Sequence, residues 1–177
     1  MARGMEFSGQ TPDGLLDVGA RLGAAILAGL IIGLDREWKR KTAGLRTYPV
    51  VALGGAGYTV AILYMSFDTP ATGTVGTDPT RIFQGLIGAL GFLGAGAVIN
   101  AGTDERAKGL VTAALIWVAG SIGIAAGMGL YALAFGIAVG STATVATLEF
   151  LELKFGHRQS LKGPGQGIRG REDGEDP

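Results

Sequence analysis

The sequence predicts an all-α, polytopic membrane bundle of five transmembrane helices, on three observations. Hydrophobic residues make up 47% of the 177, and 32 more are glycine, so the two together fill about two thirds of the chain. Only 17% of residues are charged, against about 25% in ordinary soluble domains. The apolar residues fall into five runs near the ~20 residues that a helix needs to cross a bilayer.

The first run extends from about Val18 to Trp38, and Leu22 to Leu34 carries no charge. The second extends from about Tyr48 to Phe67, the third from Ile82 to Asn100, the fourth from Leu110 to about Ala126, and the fifth from about Gly129 to Leu148. The last four contain no Asp, Glu, Lys or Arg. One such charge at a helix centre costs about 2.5–3.5 kcal/mol on insertion, so the pattern marks spans. Residues 1–14 are polar and lack the basic start and immediate apolar run of a signal peptide. Residues 15–155 form the expected membrane domain. The fifth helix is expected to continue past Leu148 through Glu149, Glu152 and Lys154, and residues 156–177 turn to Gly, Pro, Gln and charge, a composition that predicts a disordered tail.

Orientation follows from the basic residues. Arg36, Lys39, Arg40, Lys41, Arg46, Arg106 and Lys108 lie in two loops on one side, with Lys154, Arg158, Lys162, Arg169 and Arg171 in the tail. The other side holds Arg3, Arg21 and Arg81. Cytoplasmic loops are the basic ones, which places the N-terminus outside and the C-terminus in the cytoplasm. The run Lys39–Arg40–Lys41 then sets topology, with contact to anionic headgroups as an added role.

Composition also excludes function classes. There is no Cys, which removes disulfides and thiolate chemistry. Acidic and basic residues balance at fifteen each, so nucleic-acid binding is not expected. The one histidine, His157, falls in the tail, so Ser121 and Ser141 have no base within the spans, and no P-loop or Gly-x-Ser-x-Gly occurs. No enzyme activity and no catalytic residue is expected.

Lipid tails are as apolar as Leu, so membrane helices associate through close approach of small residues. Ala25, Gly29 and Gly33 recur every four residues in the first run, Ala119, Gly123 and Gly127 in the fourth, and Ala132, Gly136, Gly140 and Thr144 in the fifth. In the third, Gly85, Gly88, Gly91 and Gly94 step by three and wind round the helix. That winding predicts a central third helix; a cavity lined by glycine is the alternative. Gly44-Leu45-Arg46-Thr47 and Gly109-Leu110-Val111-Thr112, 65 residues apart, suggest an internal repeat.

The polar candidates cluster at span ends. Asp35-Arg36-Glu37 closes the first run. Two readings stand: Asp35–Lys39 and Glu37–Lys41 are i,i+4 surface pairs, or Asp35, Arg36, Glu37 and Arg46 form one network at the inner boundary, where ionisable groups are functional candidates. Thr47 reads as an N-cap before Tyr48 and Pro49. Asp78 reads as the cap before Pro79, with Arg81 its partner or an outer anchor. Asn100, Lys108 and Thr112 flank the third loop, whose Asp104 and Glu105 offer hard oxygens of the kind Mg²⁺ takes. Solvated loop carboxylates are the default reading, so no cofactor is expected, with Mg²⁺ the ion such groups could take.

Together, Gly33-Leu34-Asp35-Arg36-Glu37, Ala43-Gly44-Leu45-Arg46-Thr47, Asp78-Pro79-Thr80-Arg81-Ile82, Gly91-Phe92-Leu93-Gly94-Ala95-Gly96 and Lys108-Gly109-Leu110-Val111-Thr112-Ala113-Ala114 with Trp117 resemble the MgtC/SapB family of bacterial inner-membrane proteins. The resemblance spans Arg21 to Leu148. It departs at Lys108, where Arg is usual, and at Val111, where a polar residue is usual. It implies a five-span inner-membrane protein tied to magnesium limitation and, in pathogens, to survival inside host cells. It further implies regulatory contact with ATP synthase or Mg²⁺-transporting ATPases. The short tail leads us to expect no C-terminal ACT-type domain. The function expected is a non-enzymatic modulator acting through helix contacts, as a homo-oligomer, most simply a dimer. A small-ion carrier or channel for Mg²⁺ or protons is the alternative.

Overall fold

A computed structural model describes residues 14–67, 79–101 and 106–156. They form five helices: α1 (Leu15–Trp38), α2 (Tyr48–Phe67), α3 (Pro79–Asn100), α4 (Arg106–Gly127) and α5 (Tyr131–Gly156). Each is long and apolar enough to cross a membrane, and no strand occurs among the described residues. The α2 boundaries agree with the sequence reading at both ends. Pro79 stands at the first helical position of α3, where its missing N–H costs nothing. The expected tail disorder falls on residues 157–177, outside the described residues.

The chain divides into two compact units, Met1–Thr144 and Val145–Pro177. In the first, α4 is the hub: it packs on α1, α2 and α3, and most closely on α2. Glycine makes the α2–α4 approach possible. A Cβ on Gly123 would meet the Ala52 carbonyl, and would stand 2.9 Å from Ala56 N and from Gly55 Cα. A Cβ on Gly127 would stand 2.7 Å from Thr59 Cβ and 2.8 Å from the Ala56 oxygen. Backbone therefore lies on backbone.

This corrects the expectation of a central α3. Only 11% of its residues from Phe83 to Asn100 are buried. Nothing lies within 4 Å of a Cβ on Gly88 or Gly91, Gly85 faces only the Tyr58 hydroxyl at 3.6 Å, and Gly94 meets Ala113 in ordinary contact at 3.5 Å. A row that drifts about 60° per step brings one glycine at a time to a given neighbour. The four-residue row of α4 keeps Ala119, Gly123 and Gly127 on one face. The internal repeat is not matched in conformation: Gly44–Thr47 precede α2 in a turn, whereas Gly109–Thr112 lie within α4.

At the opposite end of the bundle Arg21, 3% exposed, joins α1 to α4. Its Nε donates to Asp17 at 2.9 Å and its Nη1 to the Gly127 carbonyl at 2.8 Å. That carbonyl belongs to the last turn of α4, whose acceptors have no partner within the helix. The helix then stops in a Schellman turn. Gly129 N–H bonds to Ala126 O, Leu130 N–H bonds to Ala125 O, and Gly129 takes φ +78°. Arg21→Ala is expected to destabilise the bundle by about 2 kcal/mol, the worth of a hydrogen bond to a charged group plus a stranded acceptor. Arg21→Lys should recover part of it, as read by unfolding in detergent.

The part of α5 that belongs to the first unit runs from Tyr131 to Thr144. Up to Thr144 the helix buries Ala134 and Ala138, while nothing lies within 4 Å of a Cβ on Gly136 or Gly140. The Ser141, Thr142 and Thr144 hydroxyls bond back to carbonyls of their own helix. The described part of the second unit, residues 145–156, is helical throughout.

Candidate functional site

The polar candidates converge where α1 ends, α2 begins and the first turns of α4 pass by. Gly29 and Gly33 create the approach. A Cβ on Gly29 would stand 2.8 Å from Pro49 Cα, and one on Gly33 3.1 Å from Leu45 Cα. The start of α2 is thereby pressed onto α1, and Tyr48 is fully buried.

Arg36 is the centre of the site. It lies in the last turn of α1, where the helix dipole favours a cation, and it is 2% exposed. Its Nη2 donates to Thr112 Oγ1 of α4 at 3.5 Å, the outer limit of a hydrogen bond. The Tyr48 phenol lies beside both Arg36 and Thr112, although its hydroxyl lacks the geometry of a hydrogen bond to either. Three helices thus contribute one polar side chain each to a buried cluster.

The acidic neighbours are used locally. Asp35 takes Lys39 Nζ at 2.9 Å, the i,i+4 pair. Glu37 lies against Gly44, and its Oε2 accepts a long 3.4 Å bond from Leu45 N–H. Arg46 is exposed and makes no ion pair among the described residues. Asp35, Arg36, Glu37 and Arg46 therefore do not form one network. The turn at 45–47 presses the Leu45 backbone onto α1 and leaves the next side chain, Arg46, on its exposed side. Thr47 stands at the cap position, and its carbonyl accepts the first α2 bond from Val51 N–H at 3.0 Å.

The other candidates separate. Thr112 belongs to the Arg36 cluster, whereas Asn100 is exposed at the end of α3. Asp78 and the side chains of Arg81 and Lys108 lie outside the described residues, as do Asp104 and Glu105. Among the described residues no group of three or more His, Asp or Glu side chains could hold a metal. Of the glycine candidates, Gly29, Gly33 and Gly94 meet a neighbouring helix or loop, whereas Gly88, Gly91, Gly136 and Gly140 face open space. Sequence reasoning missed Tyr48 as a member of the cluster and Arg21 as the α4 cap. The available signal for Tyr48 was its place between a cap residue and a proline, one turn past the glycine row. For Arg21 it was a lone charge in an otherwise apolar run.

The MgtC family sequence model matches residues 22–154. The chain belongs to the MgtC family. Protein SapB of Bacillus subtilis (strain 168) is 37% identical over 119 residues, 67% of this chain and 51% of that protein. The putative magnesium transporter YhiD of Escherichia coli (strain K12) is 38% identical over 133 residues, 75% of this chain and 59% of its own. Protein MgtC of Salmonella typhimurium (strain LT2) is 38% identical over 106 residues, 60% of this chain and 41% of its own. The chain spans about half the length of the curated relatives it matches. No solved structure matches. Five apolar helices and membership of this family make it a multi-pass membrane protein.

Proposed function

We propose that this MgtC-family protein is a non-enzymatic modulator of the bacterial inner membrane under low magnesium, acting by helix–helix contact. One observation carries the reading. Two of the five spans keep glycines that meet no neighbour among the described residues: Gly88 and Gly91 on α3, Gly136 and Gly140 on α5. Open small-residue rows in a bilayer are faces for another helix. A second copy is the first partner to test, then ATP synthase or a Mg²⁺-transporting ATPase. Cross-linking and native mass spectrometry in mild detergent should reveal a dimer or heterocomplex. Gly136→Leu should dissolve it while leaving thermal unfolding of the monomer unchanged. A strict monomer with no co-purifying partner would sink the proposal.

A second reading, Mg²⁺ carriage, rests on the name of the YhiD relative. Flux of Mg²⁺ or protons into proteoliposomes, compared with empty vesicles, decides it. The buried Arg36 guanidinium opposes a cation path through the α1–α2–α4 junction.

A further inference from the structure

Helices α1 and α4 end in the same backbone motif, with one difference. At α4 the left-handed position is filled by Gly129. At α1, Arg40 N–H bonds to Glu37 O at 2.9 Å, Lys41 N–H bonds to Arg36 O at 3.0 Å, and the left-handed residue is Arg40, φ +51°. Arg40 is the one non-glycine residue with positive φ among the described residues. Glycine fills this position without penalty, whereas a residue with a Cβ is strained there. The backbone motif caps the helix, but nothing in it calls for a side chain at this position. The Arg40 side chain is exposed and makes no hydrogen bond or ion pair among the described residues. The helix stop explains the left-handed backbone, and an arginine in place of glycine at that position points to a role for its side chain outside the fold.

The surroundings state the chemistry. The acidic groups near Arg40 are turned to other tasks: Asp35 holds Lys39, and Glu37 is directed to Gly44 and Leu45 N–H. Arg36 is withdrawn into the bundle, and Lys41 has contacts of its own. That leaves Arg40 and Arg46 as exposed cations on one nine-residue loop, without a carboxylate partner among the described residues. Trp38, the last residue of α1, is 91% exposed, an indole placed where a span meets headgroups. Guanidinium groups match phosphate oxygens in a fork geometry, and anionic headgroups attract basic residues just outside a span.

We propose that the α1–α2 loop is a binding surface for anionic phospholipid headgroups, with Arg40 and Arg46 contacting phosphate and Trp38 seated at the interface. The purified full chain in neutral detergent is offered phosphatidylglycerol or phosphatidylcholine of the same acyl composition, and bound lipid is counted by native mass spectrometry. The wild type should retain phosphatidylglycerol over phosphatidylcholine. Arg40→Gly should reduce phosphatidylglycerol retention about fivefold, the effect of one basic residue near an anionic surface. Arg46→Gln should do the same, and the double variant should abolish the preference. In lipid-free detergent Arg40→Gly should unfold at the same temperature as the wild type or higher, because glycine relieves the left-handed strain. Equal retention of the two lipids by the wild type, full retention by Arg40→Gly, or a lower unfolding temperature of that variant without lipid would each overturn the proposal.

Discussion

Gly123→Ala is expected to cost the bundle about 3 kcal/mol or more, among the largest effects of any single methyl group in this protein. Overpacking a tight site costs about 1–3 kcal/mol when side chains can move aside. Here they cannot. The added Cβ would run into the Ala52 carbonyl, with Ala56 N and Gly55 Cα each 2.9 Å away, so the obstacles are backbone. The only relief is to separate α2 from α4, the most extensively packed pair among the described helices. Separation also loosens the Gly55 contact, since a Cβ there would stand 2.9 Å from the Gly120 carbonyl. The opposing gain is the helix propensity of Ala over Gly, at most about 1 kcal/mol. Gly54→Ala and Gly57→Ala, outside the glycine rows proposed for a partner, are the controls. With nothing within 4 Å of either position, they keep the propensity gain and lose nothing. Denaturant unfolding in mixed micelles should show Gly123→Ala strongly destabilised and both controls at or above wild type. Similar small effects at all three sites would mean that the α2–α4 approach is looser than described.

The contrast also shows what a sequence can tell. Five spans were legible because charge-free runs of membrane length have no other stable home. The α1 and α4 small-residue rows were legible because a spacing of four keeps residues on one face. The hub was not. A glycine stepping by three and one stepping by four look equally dense in composition, and only three-dimensional pairing separates Gly94, which meets Ala113, from Gly88 and Gly91, which meet nothing. The polar site was half legible. Arg36 stands out as a charge near a span end, but its partner on α4 lies 76 residues away. Thr112 reads as one more helix residue until α1 and α4 are placed antiparallel. Arg46 misled because adjacency in sequence to a helix start suggested a return path. The turn at 44–47 instead directs it to the surface.

Arg36→Ala is expected to destabilise by about 2–3 kcal/mol, and Arg46→Ala not measurably. Arg36 combines three contributions. It donates to Thr112 Oγ1, and a hydrogen bond from a charged group is worth about 1.5–3 kcal/mol at good geometry, less at 3.5 Å. It is a cation in the last turn of α1, worth up to about 2 kcal/mol in a partly buried setting. Its aliphatic stem fills space among three helices. Against these stands the cost of burying a cation, which its removal returns. The terms separate by substitution. Arg36→Met keeps the stem and should recover the packing part. Thr112→Val removes only the hydroxyl. In a double-mutant cycle Arg36→Ala and Thr112→Val should couple by about 1 kcal/mol, whereas Arg46→Ala and Thr112→Val should be additive. Asp35→Ala should cost about 0.5–1 kcal/mol, since its i,i+4 pair with Lys39 is half-buried. If Arg36 and Arg46 prove equivalent, both are merely topogenic charges. If Arg36 alone couples to Thr112, a charge at the end of α1 is fastened to the helix on which the other three pack. Any contact that shifts the α1–α2 loop then strains that hub, which is the physical link a modulator needs between its surface and its core.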